Sequence, residues 1–198
     1  ASQDSPLRLY YADFDSNGQT ESIVCVKKEG SYFPTQSFDE LSQQMPSLKR
    51  KFNTYKDFAG KSITEIFASE NLDQAKILEV HTTASGYLKF KDDQWNFHQL
   101  SDYFQVAPVT ALLEVDLNKD NQNELLFGGN YFGVKPYQGR FGSFSGGALT
   151  KEGKILSAEN IGVNFYDKAV VNFEIFNFKD DAYLMVVFND DAVEFYKL

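Results

Sequence analysis

The sequence contains one cysteine, no excess of positive charge and no long apolar run. With Cys25 alone, the chain cannot form an internal disulfide or a zinc site made of several thiolates. Its 28 acidic and 19 basic residues give a formal net charge of −9, which argues against binding to nucleic acid or to an anionic membrane surface. No segment approaches the roughly 20 apolar residues that cross a bilayer. We therefore expect neither a nucleic-acid partner nor insertion into a membrane.

Known catalytic motifs are missing as well. The sequence has no His-Glu-x-x-His, no Gly-x-Ser-x-Gly, no P-loop and no Cys-x-x-Cys. The pairs Gly128-Gly129 and Gly146-Gly147 are interpreted as hairpin turns, His81 and His98 as sheet residues, and Cys25 as a buried, inert thiol. We predict no catalytic residue, although the many carboxylates leave open an acid–base pair that forms only in space.

Aromatic residues, in contrast, are abundant. The chain has 19 Phe and 11 Tyr but a single Trp, and Phe and Tyr favour pleated, half-buried strands. Short strand-like runs separated by turn residues occupy positions 7–33 and 77–198. The pattern predicts a mainly β protein of many short antiparallel strands, arranged as a sandwich, a barrel or a propeller.

Residues 37–76 have a different pattern, which predicts a cluster of short helices inserted between strands. Three capping boxes follow one another here, formed by Ser37 with Glu40, Thr54 with Asp57, and Ser62 with Glu65. We expect a single domain over residues 1–198 with this insertion packed on the outside of its sheets. One apolar face should be buried, formed by Phe52, Tyr55, Phe58, Ile63, Ile66 and Phe67.

Two acidic segments, 13–21 and 116–124, align with each other, and each lies between strand-like runs. The first has oxygen-bearing side chains at its positions 1, 3, 5, 7 and 9, namely Asp13, Asp15, Asn17, Gln19 and Glu21. The second has Asp116, Asn118, Asp120, Gln122 and Glu124 at the same positions. A third hairpin, over residues 173–188, has only Lys179-Asp180-Asp181 at its tip and resembles a degenerate copy. Repetition of a small β unit is typical of propellers and solenoids.

These alternating oxygen ligands suit Ca²⁺, which prefers carboxylate, amide and carbonyl oxygens. An EF-hand is excluded, because position 12 is Val24 in one loop and Phe127 in the other, where an EF-hand has Glu. We expect the first loop to bind Ca²⁺ through its four Asp, Asn and Glu side chains and the Gln19 carbonyl. The second loop has Asn121 in place of Gly18 and should bind more weakly or stand empty. The alternative is a pair of ordinary polar β-turns.

The motif Asp-x-Asp-x-Asn-Gly-x-x-Glu between strands resembles the calcium loop of FG-GAP (VCBS-type) repeats, which build the β-propellers of integrin α subunits and many exported bacterial proteins. Residues 126–136 and 139–141 are similar to a longer signature of the bacterial members, and residues 46–60 to a helical insertion that those members carry. The sequence departs from the pattern at Asn121 and at Gly142, where the family pattern has Asp after the Gly-Arg-aromatic triplet.

The resemblance implies a partial or small β-propeller of antiparallel four-stranded blades with a short helical insertion. About 160 residues outside the insertion correspond to three or four blades of 40–45 residues, so we expect either the C-terminal portion of a longer propeller or a small or open version of one. The implied function is that of a non-enzymatic, calcium-stabilised module of an exported protein (periplasm, cell surface or extracellular) that binds a protein or a glycan. The alternative is a hydrolase or lyase with its site in the propeller channel. A pocket with two carboxylates or a histidine beside Arg140 would indicate that enzyme.

Overall fold

The computed structural model of this chain is mainly β, as predicted, and describes every residue except the side chain of Gln138. It consists of antiparallel sheets of two to four strands and of short helices. The chain divides into two compact units, residues 1–83 and 84–198. Whether the two units together form the single propeller-like domain expected over residues 1–198 stays a prediction. None of the helices in the described residues is long and apolar enough to cross a membrane.

The first unit contains one four-stranded sheet. Its strands are β1 (Leu7–Ala12), β2 (Glu21–Lys28), β3 (Ser31–Pro34) and β4 (Lys76–Val80), in the spatial order β3-β2-β1-β4. The first three strands follow each other as hairpins, and β4 returns after the helical segment to pair with β1. The first acidic loop is therefore the connection between the two central strands.

Five short helices follow β3, all inside the predicted segment. They are α1 (Phe38–Gln44), α2 (Leu48–Lys51), α3 (Tyr55–Phe58), α4 (Ile63–Ile66) and α5 (Ser69–Asp73). The three capping boxes are confirmed, since the N–H groups of Ser37, Thr54 and Ser62 donate to Glu40, Asp57 and Glu65. Helices of four to seven residues are too short to be stable alone in water. Caps and tertiary packing must therefore hold them.

The core of the first unit lies between the sheet and these helices. Tyr10, Ile23, Cys25 and Tyr32 from the sheet pack with Leu41, Met45, Leu48, Phe52, Ile63, Ile66 and Phe67 from the helical segment. Burial raises the pKa of the Cys25 thiol to about 12, so it is protonated at neutral pH. The predicted apolar face is wrong at Tyr55, which is 63% exposed, because α3 turns this side chain to solvent, where its hydroxyl donates to Asp39 at 2.8 Å.

The second unit contains three sheets. The first has β7 (Val109–Val115), β8 (Glu124–Gly129), β9 (Gly147–Leu149) and β10 (Ile155–Ser157) in the order β10-β9-β8-β7. Strands β11 (Val170–Phe178), β12 (Asp181–Phe188) and β13 (Glu194–Lys197) form the second, and β5 (Gly86–Lys91) with β6 (Gln94–Gln99) the third. Helix α6 (Ala158–Ile161) and 3₁₀ turns at Asp102–Phe104 and Pro136–Gln138 connect them.

The interpretation of the glycine pairs as hairpin turns is wrong. Gly128 and Gly129 are the last residues of β8, and Gly147 begins β9. A Cβ atom on Gly128 would lie only 2.6 Å from side-chain atoms of Phe173 and Val170. The absence of a side chain therefore allows β11 to pack closely against β8, a requirement of tertiary packing that a turn pattern does not reveal.

Asn130, directly after β8, connects several segments of the second unit. Its side chain is 1% exposed, and its Nδ2 donates to the carbonyls of Phe144, Phe165 and Lys168, each at 2.9 Å. Its Oδ1 accepts the N–H of Phe144 at 2.9 Å. Its backbone has φ 78°, a conformation that Asn tolerates better than most residues. One side-chain amide thus supplies hydrogen bonds to three backbone carbonyls and one backbone N–H that lie outside the strands.

We predict that Asn130→Ala lowers the free energy of unfolding by at least about 3 kcal/mol, because each buried polar group left without a partner costs roughly 1–3 kcal/mol. Urea unfolding monitored by circular dichroism measures the effect. Asn177→Ala, at an exposed position of β11, is the control and should change the value by less than about 0.5 kcal/mol. Equal stabilities of the two variants would contradict the role of Asn130.

Candidate metal centre

The two acidic loops connect their strands in the same register. Residue Ala12 of β1 pairs with Glu21 of β2, and Val115 of β7 pairs with Glu124 of β8. In each case the residue before the first Asp is opposite the last Glu. The sequence repeat is therefore also a structural repeat, with two hairpins closed at equivalent positions.

The first Asp of each loop accepts hydrogen bonds from the backbone of the turn. The Asp13 carboxylate accepts the N–H groups of Asn17 (3.1 Å) and Gly18 (2.8 Å). The Asp116 carboxylate accepts those of Asp120 (3.2 Å) and Asn121 (2.9 Å) at the equivalent positions. These contacts bend the chain around the Asp side chain in both loops.

The Glu that ends each loop is buried and closes it. Glu21 is 4% exposed, and its Oε2 accepts the N–H of Phe14 at 2.9 Å. Glu124 is 2% exposed, and its Oε2 accepts the N–H of Leu117 at 2.9 Å. A carboxylate is rarely buried without a charged partner. Each loop therefore holds a negative charge that needs compensation.

The backbone follows the same path in both loops, including its left-handed residues. Ser16 and Lys119 have φ 58° and 63°, and two positions later Gly18 and Asn121 have φ 86° and 64°. Asn is among the non-glycine residues that adopt this region most readily. The departure from the motif at Asn121 therefore leaves the shape of the second loop unchanged.

The first loop gathers three carboxylates. Oxygen atoms of Asp13, Asp15 and Glu21 all lie within 4.8 Å of one another. The Oδ1 atom of Asp15 is buried and has no hydrogen-bond partner among the described residues. Burial raises the pKa of Glu21 above its usual range, and the negative charges of Asp15 and Asp13 raise it further. Hard oxygen donors, mutual repulsion and a buried oxygen without a partner together fit a divalent cation such as Ca²⁺.

The other two predicted ligands of the first loop have side-chain amides instead of carboxylates. Asn17 and Gln19 are exposed, and Asn17 Oδ1 accepts the N–H of Gln19 at 2.7 Å. The side chain of Asn17 thus shapes the turn by bonding the backbone of Gln19. Coordination by the Asn17 amide and by the Gln19 carbonyl stays a prediction.

The second loop satisfies its acidic groups in a different way. At its third position, the Nδ2 group of Asn118 donates to Asp120 Oδ2 at 2.9 Å and lies 3.5 Å from Glu124 Oε1. The other oxygen of Asp120 accepts the N–H of Gln122 at 2.8 Å. An amide donor thus lies between two carboxylates, where the first loop has the third carboxylate, Asp15. Both loops have three carboxylates, and they differ in whether the second of these is at position 3 or at position 5.

The helical segment supports the first loop through contacts that sequence reasoning missed. The Nδ2 group of Asn71 donates to the carbonyl of Phe14 at 2.7 Å, and the hydroxyl of Ser47 donates to Asp15 Oδ2 at 3.4 Å. The ring of Phe14 is buried and lies 4.6 Å from that of Phe67. Ser47 and Asn71 are 32 and 57 residues from their partners, so no local pattern identifies them.

Arg140 has a carboxylate partner from a distant part of the chain. Its Nη2 lies 2.8 Å from Asp167 Oδ1, and its guanidinium stacks at 3.9 Å on the ring of Phe132. A Cβ atom on Gly142 would lie 2.7 Å from the same Asp167 oxygen. The Asp167 carboxylate thus occupies the space beside Gly142, where the family pattern led us to expect an Asp side chain.

The two histidines have different surroundings. His98 lies on β6 and stacks on Tyr87 of β5, with ring centres 5.1 Å apart, which confirms its assignment to a sheet. His81 lies one residue beyond β4, with Nε2 3.6 Å from Glu79 Oε2. The described lining of the concavity that contains Phe132 includes neither a histidine nor a carboxylate.

No protein-family model, curated protein or solved structure matches this chain. The likeness to FG-GAP repeats accordingly rests on the motifs of the sequence and stays a prediction. The structure by itself shows two equivalent acidic hairpins. In the first of them, three carboxylates cluster.

Proposed function

We propose that this protein is a non-enzymatic interaction module of an exported bacterial protein, stabilised by Ca²⁺ bound in its first acidic loop. The observation that carries the proposal is the cluster of Asp13, Asp15 and Glu21, in which the buried Asp15 Oδ1 has no partner among the described residues. The second loop is expected to bind Ca²⁺ more weakly or to stand empty, because Asn118 already bridges two of its carboxylates.

Electrostatics explains why a cation would be favoured at the first loop. Three carboxylates at one hairpin repel each other, and Glu21 is also buried, so the negative charge is costly unless it is neutralised. Ca²⁺ accepts irregular sets of oxygen ligands, whereas Mg²⁺ requires near-octahedral geometry and keeps several of its waters. A cation that binds only the folded chain stabilises it by RT ln(1 + [L]/Kd), so the stabilisation grows with the logarithm of the cation's excess over Kd.

The role of this cation would be structural. The loop connects the two central strands of the first sheet and is held to the helical segment by Asn71 and Ser47. A bound ion would join these elements at one point.

Two features support the propeller-like, FG-GAP-type interpretation. The acidic hairpins repeat in register, hydrogen bonding and backbone path. The sheet of β7–β10 is also a four-stranded antiparallel meander, the form of a propeller blade. Export to the periplasm, cell surface or exterior, and a protein or glycan partner, are further parts of the proposal that come from the resemblance.

The first test is thermal unfolding of the intact chain in EDTA and then in millimolar Ca²⁺. A hundredfold excess over Kd contributes about 2.7 kcal/mol, and we predict that Tm rises by about 5 °C or more. Asp15→Asn removes the third carboxylate and should abolish the shift, whereas Asp190→Asn, in an exposed turn, should keep it. Identical melting of the unaltered chain in EDTA and Ca²⁺ would overturn the proposal.

Glu21→Gln should have opposite effects with and without Ca²⁺. The folded-state pKa of Glu21 is raised, so the fold favours the protonated carboxyl over the ionised one. Below the unfolded pKa of about 4.3 this preference stabilises the folded chain, and the stabilisation is lost as pH rises through the folded-state pKa. In EDTA at pH 7 we therefore predict a higher Tm for Glu21→Gln than for the unaltered chain, a difference that disappears near pH 4. In Ca²⁺ the order should reverse. A lower Tm of the variant in EDTA at pH 7 would contradict this account.

Asn118→Asp should create a second calcium site. The substitution places a carboxylate at the third position of a loop whose backbone already matches the first. We predict that isothermal titration calorimetry gives one Ca²⁺ per unaltered chain and two per Asn118→Asp chain. The matched control is Asn123→Asp, which adds the same charge at an exposed position of the same loop and should leave the stoichiometry at one. A second site in the control as well would show that net charge, not position, determines binding.

A further inference from the structure

A concavity of about 450 Å³ lies in the second unit, beside the end of β8 and the start of β11. Its lining includes Thr110, Tyr131, Phe132, Val171 and Asn189. The Tyr131 ring is 48% exposed, so an aromatic surface is open to a ligand. The volume is in the range of natural small-molecule sites. Residues 131–133 lie in the longer signature at 126–136, to which the proposed calcium site assigns no role.

The walls of this concavity are held in place by hydrogen bonds. Asn130, which also lines it, makes the four buried side-chain bonds described above. Tyr131 and Phe141 exchange backbone hydrogen bonds at 2.8 and 3.1 Å. The Thr110 hydroxyl donates to the carbonyl of Val170 at 2.6 Å. A preformed wall lowers the entropy that a ligand must overcome on binding.

Planar polar groups lie next to the aromatic rings. Arg140 stacks on Phe132 and pairs with Asp167 at 2.8 Å, and both charged side chains are more than half exposed. The side-chain amide of Asn189 makes no hydrogen bond to another described residue, and Asn189 is exposed. Guanidinium, carboxylate and amide groups can each form paired hydrogen bonds with neighbouring hydroxyls of one ligand.

This combination selects against other classes of ligand. The described lining of the concavity has no charged side chain, and the chain carries a net charge of −9, so an anion would gain little there. A purely apolar ligand would remove the Asn189 amide from water without replacing its hydrogen bonds, which costs free energy. The site instead suits a neutral ligand with flat apolar faces and hydroxyl groups around its edge.

We propose that this concavity binds a saccharide, with a sugar ring packed on Tyr131 and its hydroxyls bonded to the side-chain amide of Asn189. The inference deepens the proposed function and rests on it, since it assigns the partner class of the interaction module. A second copy of the chain is the competing occupant. A standard protein–protein interface buries roughly 800 Å² per partner. The surface of one exposed tyrosine and its neighbours is far smaller, which argues against a second copy at this concavity.

The test uses saturation-transfer-difference NMR on the intact chain in Ca²⁺, with maltotriose, cellotriose, xylotriose, mannotriose and chitotriose as probes. We expect transfer to at least one trisaccharide, with affinity reduced at least tenfold by Tyr131→Ala and also reduced by Asn189→Ala. Tyr87→Ala is the matched control, because Tyr87 is 51% exposed but lies on β5. That variant should bind like the unaltered chain.

Absence of transfer from all five trisaccharides, or equal affinities of Tyr131→Ala and Tyr87→Ala, would overturn the saccharide site. Sedimentation velocity that shows a dimer dissociated by Tyr131→Ala would overturn it in favour of self-association. The calcium-dependent shift in Tm separates this failure from that of the proposed function. A shift that persists without saccharide binding overturns only the saccharide site, whereas loss of the shift in the unaltered chain overturns the proposed function.

Discussion

Each acidic hairpin depends on one hydrogen bond, in which a buried glutamate accepts a backbone N–H of the loop. Glu21 and Glu124 lie opposite the residue that precedes the first Asp, and each holds the N–H of the residue that follows that Asp. This bond determines where the strands end and how the loop turns between them. It also places a negative charge in a protein interior, which is unfavourable unless a nearby group compensates it.

The surroundings of this buried charge differ between the two hairpins, although their backbones are nearly the same. In the first, Asp15 adds another carboxylate and leaves a buried oxygen without a partner among the described residues. In the second, Asn118 supplies an amide donor to Asp120 and approaches Glu124. Each loop has three carboxylates, but the third and fifth positions carry Asp15 and Asn17 in the first loop and Asn118 and Asp120 in the second, so a carboxylate and an amide have exchanged places. The loop shape is shared, and what differs is which of the two positions carries the carboxylate.

Asn130 has a comparable role in the second unit, where a side chain replaces strand pairing. Its amide bonds the backbone of Phe144, Phe165 and Lys168, which are 14 to 38 residues away. Four bonds from one buried group hold the segments that surround the concavity of Tyr131 and Phe132. The same buried amide that bonds these segments also lines the concavity in which Tyr131 is exposed to solvent.

Most strands, the helical segment, its capping boxes and the spacing of both acidic loops could be predicted from the sequence. These features depend on side-chain alternation, turn residues and hydrogen bonds between residues fewer than ten positions apart, which a linear pattern records. Only the tertiary structure decided the rest: the pairing of β4 with β1, the exposure of Tyr55, the close packing at Gly128, the support of the loop by Asn71 and the ion pair of Arg140 with Asp167. Each of these depends on which distant segments the folded chain brings together, and residues far apart in sequence carry no local pattern that identifies them as partners.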